Sequence, residues 1–208
     1  PPARPFRKTR RANERVRIMG ADMDLIRPEE VLYFVARKVA AGEKAIIAHH
    51  NLHSLYLVRR NTELQEFYRI SDMIEVDSTP ILMWARLAKR GGRRFHRCTY
   101  LDWRDAFWKL AQEKGWRVFY LGGAPGVGDK AAARVMAEFP GVEIGVRDGY
   151  FDMRSGSADA QAVQDQVKAF APDILFGGRG RSLQLAVIVR NHDALPPCAM
   201  FTVGAAFD

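Results

Sequence analysis

The chain has 208 residues, is 48% hydrophobic and carries a formal net charge of +8 at pH 7. This length allows one domain with a sizeable core, and no apolar run approaches the roughly 20 residues that a membrane-spanning helix needs. No secretory signal peptide is visible, and two cysteines, Cys98 and Cys198, are too few for a disulfide framework. We therefore expect a cytoplasmic protein with two reduced, buried thiols.

Positive charge is concentrated at the N-terminus, where Glu14 is the single acid among many Arg and Lys residues. We expect residues 1–16 to form a flexible basic segment and residues 17–208 to form a single compact domain. The basic segment is either a solvated tail or is attracted to an anionic surface. A membrane surface is the favoured partner and nucleic acid is not, because neither a recognition helix nor interleaved aromatic residues are visible.

Predicted strands and helices alternate along the rest of the chain. Strands are predicted at 16–23, 44–48, 73–76, 116–120, 142–146, 174–176 and 200–203. Helices are predicted at 27–41, 52–61, 62–71, 79–89, 102–114, 130–138, 158–170 and 183–191. This alternation predicts an α/β fold with a mostly parallel sheet and helices on both faces.

Polar residues and glycine turns follow most of the predicted strands. In open α/β sheets, ligands bind outside the carboxyl ends of the strands. We therefore expect one rim to be lined by His49, Asn51, Asp77, the turns beginning at Gly122, Asp148 and Gly177, and Asp208.

The turn at residues 121–130 reads Leu-Gly-Gly-Ala-Pro-Gly-Val-Gly-Asp-Lys and joins a predicted strand to a predicted helix. Such a loop can bind phosphate through backbone N–H groups and the helix N-terminus, but a tight turn alone also requires glycine. No hydroxyl residue follows Lys130, and the glycines are out of register with a dinucleotide fingerprint. The loop thus predicts a phosphate-bearing ligand, but neither an ordinary ATPase nor a dehydrogenase.

Taken in order, these segments resemble the WecG/TagA/CpsF family of bacterial glycosyltransferases over roughly residues 19–208. The resemblance rests on Asn51, on Asp77 at a strand exit, and on five further segments. These are residues 121–127, Gly-Tyr-Phe at 149–151, Pro-Asp-Ile-Leu at 172–175, a glycine loop with Gln184 on the next helix, and Val-Gly-Ala-Ala-Phe-Asp at 203–208.

The resemblance implies a Rossmann-like domain that moves a sugar, with inversion, from a UDP-sugar to a polyprenyl-diphosphate-linked saccharide at the inner face of the cell membrane. Within the family, the sequence looks most like the exopolysaccharide, xanthan-type branch represented by GumM, which implies glucose as the sugar. The alternative is an N-acetylmannosamine or N-acetylmannosaminuronic acid transferase of cell-wall polymer or common-antigen assembly.

The resemblance also implies roles for particular residues. Asp77 matches the proposed catalytic base, and the alternative for Asp77 is a helix N-cap. Arg97 matches an arginine near the diphosphate, with Arg94 as a competitor. The remaining residues expected to bind substrate are His49, Asn51, Gly122, Gly123, Pro125, Gly149, Tyr150, Gly178, Gln184 and Asp208.

The sequence departs from the family pattern at several positions. His49 replaces a usual Thr, Ser78 replaces the Gly that usually follows the Asp, and the signature around Gln184 lacks its Pro and Glu. The chain also ends at Asp208, before the C-terminal appendage that the family usually carries. These departures affect the inferred donor and acceptor.

Three further expectations concern partners. His49, His50 and His53 could place two imidazoles on one helical face for a metal, but we expect no metal or other cofactor, because cationic side chains can replace an ion at the diphosphate. A homo-oligomer is compatible with the sequence. The competing hypothesis is a non-catalytic, membrane-associated nucleotide-binding module, which would bind nucleotide without transferring sugar.

Overall fold

A computed structural model describes residues 15–152, 157–178, 193 and 195–204. Its centre is a six-stranded sheet in which every neighbouring pair of strands is parallel. The strands are β3 (Ala45–His50), β4 (Met73–Val76), β5 (Arg117–Leu121), β6 (Glu143–Arg147), β7 (Ile174–Gly178) and β8 (Ala199–Gly204). Their order across the sheet is β4-β3-β8-β7-β5-β6. The predicted α/β, Rossmann-like fold is confirmed.

Helices cover both faces of this sheet. The described helices are α1 (Pro28–Ala40), α2 (Leu52–Val58), α3 (Thr62–Ile70), α4 (Thr79–Leu87), α5 (Tyr100–Lys114), α6 (Val127–Glu138) and α7 (Ala158–Phe170). Buried side chains of α2, α3, α4 and α7 form one core, and those of α1, α5 and α6 form the other. No helix within the described ranges is both long enough and apolar enough to cross a bilayer.

Strand β3 shows how the sequence divides its side chains between the two cores. Ile46 and Ala48 pack into the core of α2, α3, α4 and α7, whereas Ala45 and Ile47 pack into the other. Successive side chains of a strand point to opposite faces, and a central parallel strand is therefore apolar on both sides. The two histidines that end β3 consequently point to opposite faces.

The predicted single strand at 16–23 is wrong. The chain instead forms an antiparallel hairpin of β1 (Arg15–Ile18) and β2 (Ala21–Asp24). Met19 and Gly20 both have positive φ, 52° and 84°, as the tight turns that match the twist of a hairpin require. Arg15, expected in the flexible basic segment, binds the buried Asp24 carboxylate through two hydrogen bonds of 2.9 and 2.8 Å.

Most other predicted elements lie within a few residues of the observed ones. A short 3-10 helix at Arg94–His96 interrupts the loop after α4, where no element was predicted. Both cysteines are free and buried, as expected. The predicted helix at 183–191 and the basic segment before Arg15 lie outside the described residues.

Candidate active site

A cavity of about 410 Å³ opens at the carboxyl ends of β3, β4 and β8, beside the start of α5. It brings together three residues that the sequence predicted for the site: His49, Asp77 and Arg97. The full lining is His49, Glu75, Asp77, Arg97, Thr99, Tyr100, Leu101, Trp103, Thr202 and Val203.

Asp77 is held at the rim of this cavity by its backbone. Its N–H donates to the carbonyl of His50 at 2.8 Å, which extends the pairing of β4 with β3. The N-cap of α4 is Ser78, so the alternative that Asp77 is a helix cap is wrong. Partial burial raises the pKa of the Asp77 carboxyl, His49 and Arg97 lower it, and Asp102 raises it. A raised pKa makes the carboxylate a better proton acceptor.

Arg97 lies beside Asp77 because its segment adds a short parallel bridge to Val76 of β4. The guanidinium is 4.0 Å from Asp77 Oδ1 and 3.6 Å from Asp102 Oδ1, and the arginine side chain is 43% exposed. This cation therefore faces both the carboxylate and solvent. Arg94, the competitor in the sequence, lies in the exposed 3-10 helix and does not line the cavity, so the geometry favours Arg97.

His49 is oriented by strand β8. Its Nδ1 lies 2.6 Å from the carbonyl oxygen of Thr202. Because a carbonyl oxygen only accepts hydrogen bonds, Nδ1 must carry the proton. This bond fixes the imidazole at the centre of the sheet edge, on the same cavity as Asp77.

The histidine arrangement considered for a metal does not form. Helix α2 begins at Leu52, so His49 and His50 belong to a strand and point to opposite faces. His50 is buried, stacks on Tyr68 at 3.9 Å and shares a 2.9 Å hydrogen bond with Ser54 Oγ. Burial lowers the pKa of His50 to about 3. Among the residues with described positions, no three His, Cys, Asp or Glu side chains are grouped to hold an ion.

An Asp-x-Asp triplet, which can present two carboxylates to a metal, occurs in β2 at Asp22 and Asp24. There, Asp24 is fully buried and accepts hydrogen bonds from Arg15 and from the backbone N–H of Ile74. The Asp24 carboxylate thus ties the hairpin to β4.

Glu75 is the cavity residue that sequence reasoning missed. It precedes Asp77 by two positions, is only 4% exposed, and accepts hydrogen bonds on Oε1 from Cys98 Sγ at 2.9 Å and Trp103 Nε1 at 3.0 Å. Burial raises the pKa of Glu75 to about 7, more than its two donors lower it. A single acid inside the apolar run Met73–Val76 was the available signal, because it shares a strand face with Asp77.

Several other predicted binding residues lie outside this cavity. Asn51 caps α2, with its Oδ1 accepting from the backbone N–H of Ser54 at 2.9 Å. Gly122, Gly123, Pro125, Gly149, Tyr150 and Gly178 lie at the ends of β5, β6 and β7, further along the same edge. Gln184 and Asp208 fall outside the described residues.

The glycines at the β5 end pack against each other. A side chain added at Gly122, whose φ is +150°, would place its Cβ 2.0 Å from the carbonyl oxygen of Gly178. A Cβ at Gly149 would lie 3.3 Å from the Cα of Gly122. Close approach of these three turns therefore accounts for two of the glycines without any ligand.

The Glycosyl transferase WecG/TagA/CpsF family matches residues 16–208. The chain belongs to this family.

Two relatives carry the name N-acetylglucosaminyldiphosphoundecaprenol N-acetyl-beta-D-mannosaminyltransferase. The protein from Bacillus spizizenii is 33% identical over 99 residues, which cover 47% of this chain and 36% of the relative. The protein from Staphylococcus aureus strain NCTC 8325 is 22% identical over 175 residues, which cover 79% of this chain and 66% of the relative. The chain thus spans less than two thirds of the length of either relative.

Proposed function

We propose that this chain carries the catalytic domain of an inverting glycosyltransferase, which moves an N-acetylmannosamine-type sugar from a UDP-sugar to a polyprenyl-diphosphate-linked saccharide. The observation that carries the proposal is the pairing of the Asp77 carboxylate with the Arg97 guanidinium, 4.0 Å apart, on the rim of one cavity. An inverting transfer needs a base that takes the proton of the acceptor hydroxyl and a cation that stabilises the departing diphosphate.

The chemistry assigns one role to each group. Asp77 removes the proton from the acceptor hydroxyl, whose oxygen forms a bond to the anomeric carbon of the donor. The bond from that carbon to the UDP oxygen breaks, and the electron pair leaves with the diphosphate. Arg97 stabilises the negative charge that develops there, and the nearby His49 ring helps to keep Asp77 ionised by lowering its pKa.

The sugar is inferred from the relatives. Both are named as N-acetylmannosaminyl transferases that act on an undecaprenyl-diphosphate-linked N-acetylglucosamine. We therefore favour this substrate pair over the glucose donor that the exopolysaccharide branch implied. Membership of that branch stays a prediction, as do indifference to metal and homo-oligomer formation.

The first experiment measures binding. Calorimetric titration of the chain with UDP, with ADP as control and with and without magnesium, should show selective UDP binding. Equal affinity for both nucleotides would favour the non-catalytic nucleotide module. If neither nucleotide binds, a longer chain that includes the rest of the relatives' length should be titrated in the same way.

The second experiment measures transfer. UDP-N-acetylmannosamine and UDP-glucose are offered separately, with a synthetic polyprenyl-diphosphate N-acetylglucosamine as acceptor, and the product is detected by mass spectrometry. We expect product from the first donor and a loss of roughly 10²–10⁴-fold in turnover for Asp77→Asn, the usual contribution of a general base. Asp102→Asn is the matched control, since Asp102 also faces Arg97. An Asp77→Asn variant with full turnover would remove the base assignment.

A further inference from the structure

The segment between Asp77 and Asp102 is strongly one-sided in charge. Residues 78–101 include Arg86, Lys89, Arg90, Arg93, Arg94 and Arg97, with no Asp or Glu among them. Arg97 belongs to the site already described. The other cations have no role in the proposed reaction, which prompts the question of what they bind.

Large apolar side chains are exposed among these cations. Met83, Trp84 and Leu87 of α4 are 66%, 53% and 73% exposed, and Phe95 in the following 3-10 helix is 51% exposed. The opposite side of α4 is buried through Ile81, Leu82 and Ala85. We call the exposed set the basic apolar face: Met83, Trp84, Arg86, Leu87, Lys89, Arg90, Arg93, Arg94 and Phe95.

The backbone after α4 folds the loop back against the side of the helix that carries Ala85, next to Arg86. The chain reverses at Lys89, whose φ is +55°, and the N–H of Arg90 returns to the carbonyl of Ala85 at 2.7 Å. Gly92 then packs so closely that an added Cβ would lie 2.6 Å from the Ala85 Cβ. Only glycine permits this approach, which keeps the loop cations beside those of the helix.

The cations of this face remain uncompensated within the described part of the chain. The ion pairs among the described residues join acids to Arg15, Arg17, Lys38, Arg69, Arg97, Arg104, Lys114 and Arg117. Arg86, Lys89, Arg90, Arg93 and Arg94 are absent from these pairs. Their field is therefore directed at solvent or at a partner.

We propose that the basic apolar face docks this protein on an anionic lipid bilayer. Exposed Trp, Leu and Met side chains enter the interface between headgroups and acyl chains, and the surrounding cations contact the lipid phosphates. Nucleic acid is the poorer partner, because Met83 and Leu87 offer nothing to a phosphate backbone and the apolar residues interrupt the basic stripe.

The position of the basic apolar face suits the proposed function, and this part of the inference rests on that function. Segment 78–97 begins beside Asp77 and ends at Arg97, so both of its ends lie at the cavity. Helix α4 has 9 residues, which places its far end roughly 13 Å from its start. Docking through this face therefore brings the cavity close to the headgroup layer, where the diphosphate of a lipid-linked acceptor lies.

The tryptophans provide a local test in the full chain. Trp84 is 53% exposed, whereas Trp103, Trp108 and Trp116 are 2%, 0% and 5% exposed. Vesicles of phosphatidylglycerol and phosphatidylcholine in equal parts should shift the fluorescence emission to the blue, and pure phosphatidylcholine should shift it much less. The Trp84→Phe variant should still sediment with the anionic vesicles but lose the shift. Sedimentation without any shift of Trp84 would mean that another surface binds.

Charge variants test the electrostatic part. The triple variant Arg86→Gln, Lys89→Gln, Arg90→Gln should lower the partition coefficient on anionic vesicles by roughly 100-fold, about five-fold for each cation removed. The matched control is Lys109→Gln, Arg134→Gln, Lys168→Gln, which removes the same charge from exposed positions of α5, α6 and α7. Equal losses in the two variants would show that only net charge matters and would overturn the proposal.

A short DNA duplex tests whether the basic apolar face binds nucleic acid instead of a lipid bilayer. If DNA shifts the Trp84 emission and anionic vesicles do not, the face binds nucleic acid and the proposal fails. Vesicle binding does not depend on sugar transfer, so failure of the proposed function would leave it intact. Conversely, transfer to a water-soluble short-chain acceptor should be unchanged in the triple variant, even if docking is lost.

Discussion

The β3–β4 side of the sheet edge and the β5–β6 side contain different kinds of residue, although the sequence marked both as sites. On the β3–β4 side, charged and titratable side chains line a cavity: Glu75, Asp77 and Arg97. On the β5–β6 side, the marked residues are mostly glycines whose backbones pack against each other. Charged side chains that line a cavity indicate a chemical role. A glycine in close contact with a neighbouring backbone is explained first by packing.

The largest expected effect tests the packing side. Gly122→Ala should destabilise the fold by about 3 kcal/mol or more, because the new Cβ would lie 2.0 Å from the Gly178 carbonyl oxygen at a φ of +150°. Chemical denaturation measures this loss. Gly126→Ala is the control: its φ is +78° with open space around the Cβ, so roughly 1–2 kcal/mol is expected. Equal losses would contradict the packing account.

The second prediction concerns Glu75 on the chemical side. Its pKa is raised to about 7 from 4.5, so the folded state holds this proton more tightly than the unfolded state. The folded state must then lose stability as pH rises through the window from 4.5 to 7, by about 3 kcal/mol in total. Glu75→Gln keeps the acceptor for Cys98 and Trp103 but cannot titrate, so this loss should be absent.

Denaturation of both proteins at several pH values checks this prediction. Burial of His50, with its pKa near 3, makes stability rise with pH up to about 6.5 and thus opposes Glu75. His50 is the same in both proteins, so its contribution cancels in the difference. Identical pH dependence of the two proteins would show that Glu75 titrates normally.

The third prediction tests whether Arg97 or Arg94 is the arginine that contacts the diphosphate. Arg97→Gln should lower kcat/KM by roughly 10- to 100-fold, since a charge-assisted contact to the diphosphate contributes about 1.5–3 kcal/mol. Removing this cation also takes away one cause that lowers the pKa of Asp77, so the acid limb of the rate profile should move to higher pH. Arg94→Gln, assayed with a soluble acceptor, is the control. A larger loss of kcat/KM for Arg94→Gln than for Arg97→Gln would assign the diphosphate contact to Arg94.

The sequence predicted the fold well because buried parallel strands and amphipathic helices leave strong local patterns. It also predicted that Asp77 and Arg97 belong to the site, and the chain brings them together through a bridge between residues 76 and 97. Glu75 was missed because its burial depends on Cys98 and Trp103, which are 23 and 28 residues away. The hairpin was missed because its turn uses Met19 at positive φ, where glycine or asparagine is the usual signal.

The smallest expected effect concerns Asn51, which the sequence placed with the substrate and the structure places at the start of α2. Its Oδ1 accepts from the Ser54 N–H at 2.9 Å, so Asn51→Ala should cost about 1 kcal/mol of stability through the lost cap. Asn51→Ser retains a capping side chain but loses the amide, so it should recover most of that stability. If Asn51→Ser also restores kcat/KM, Asn51 serves the helix alone. If turnover stays low while stability returns, the amide contacts substrate and the site extends beyond the cavity toward the start of α2.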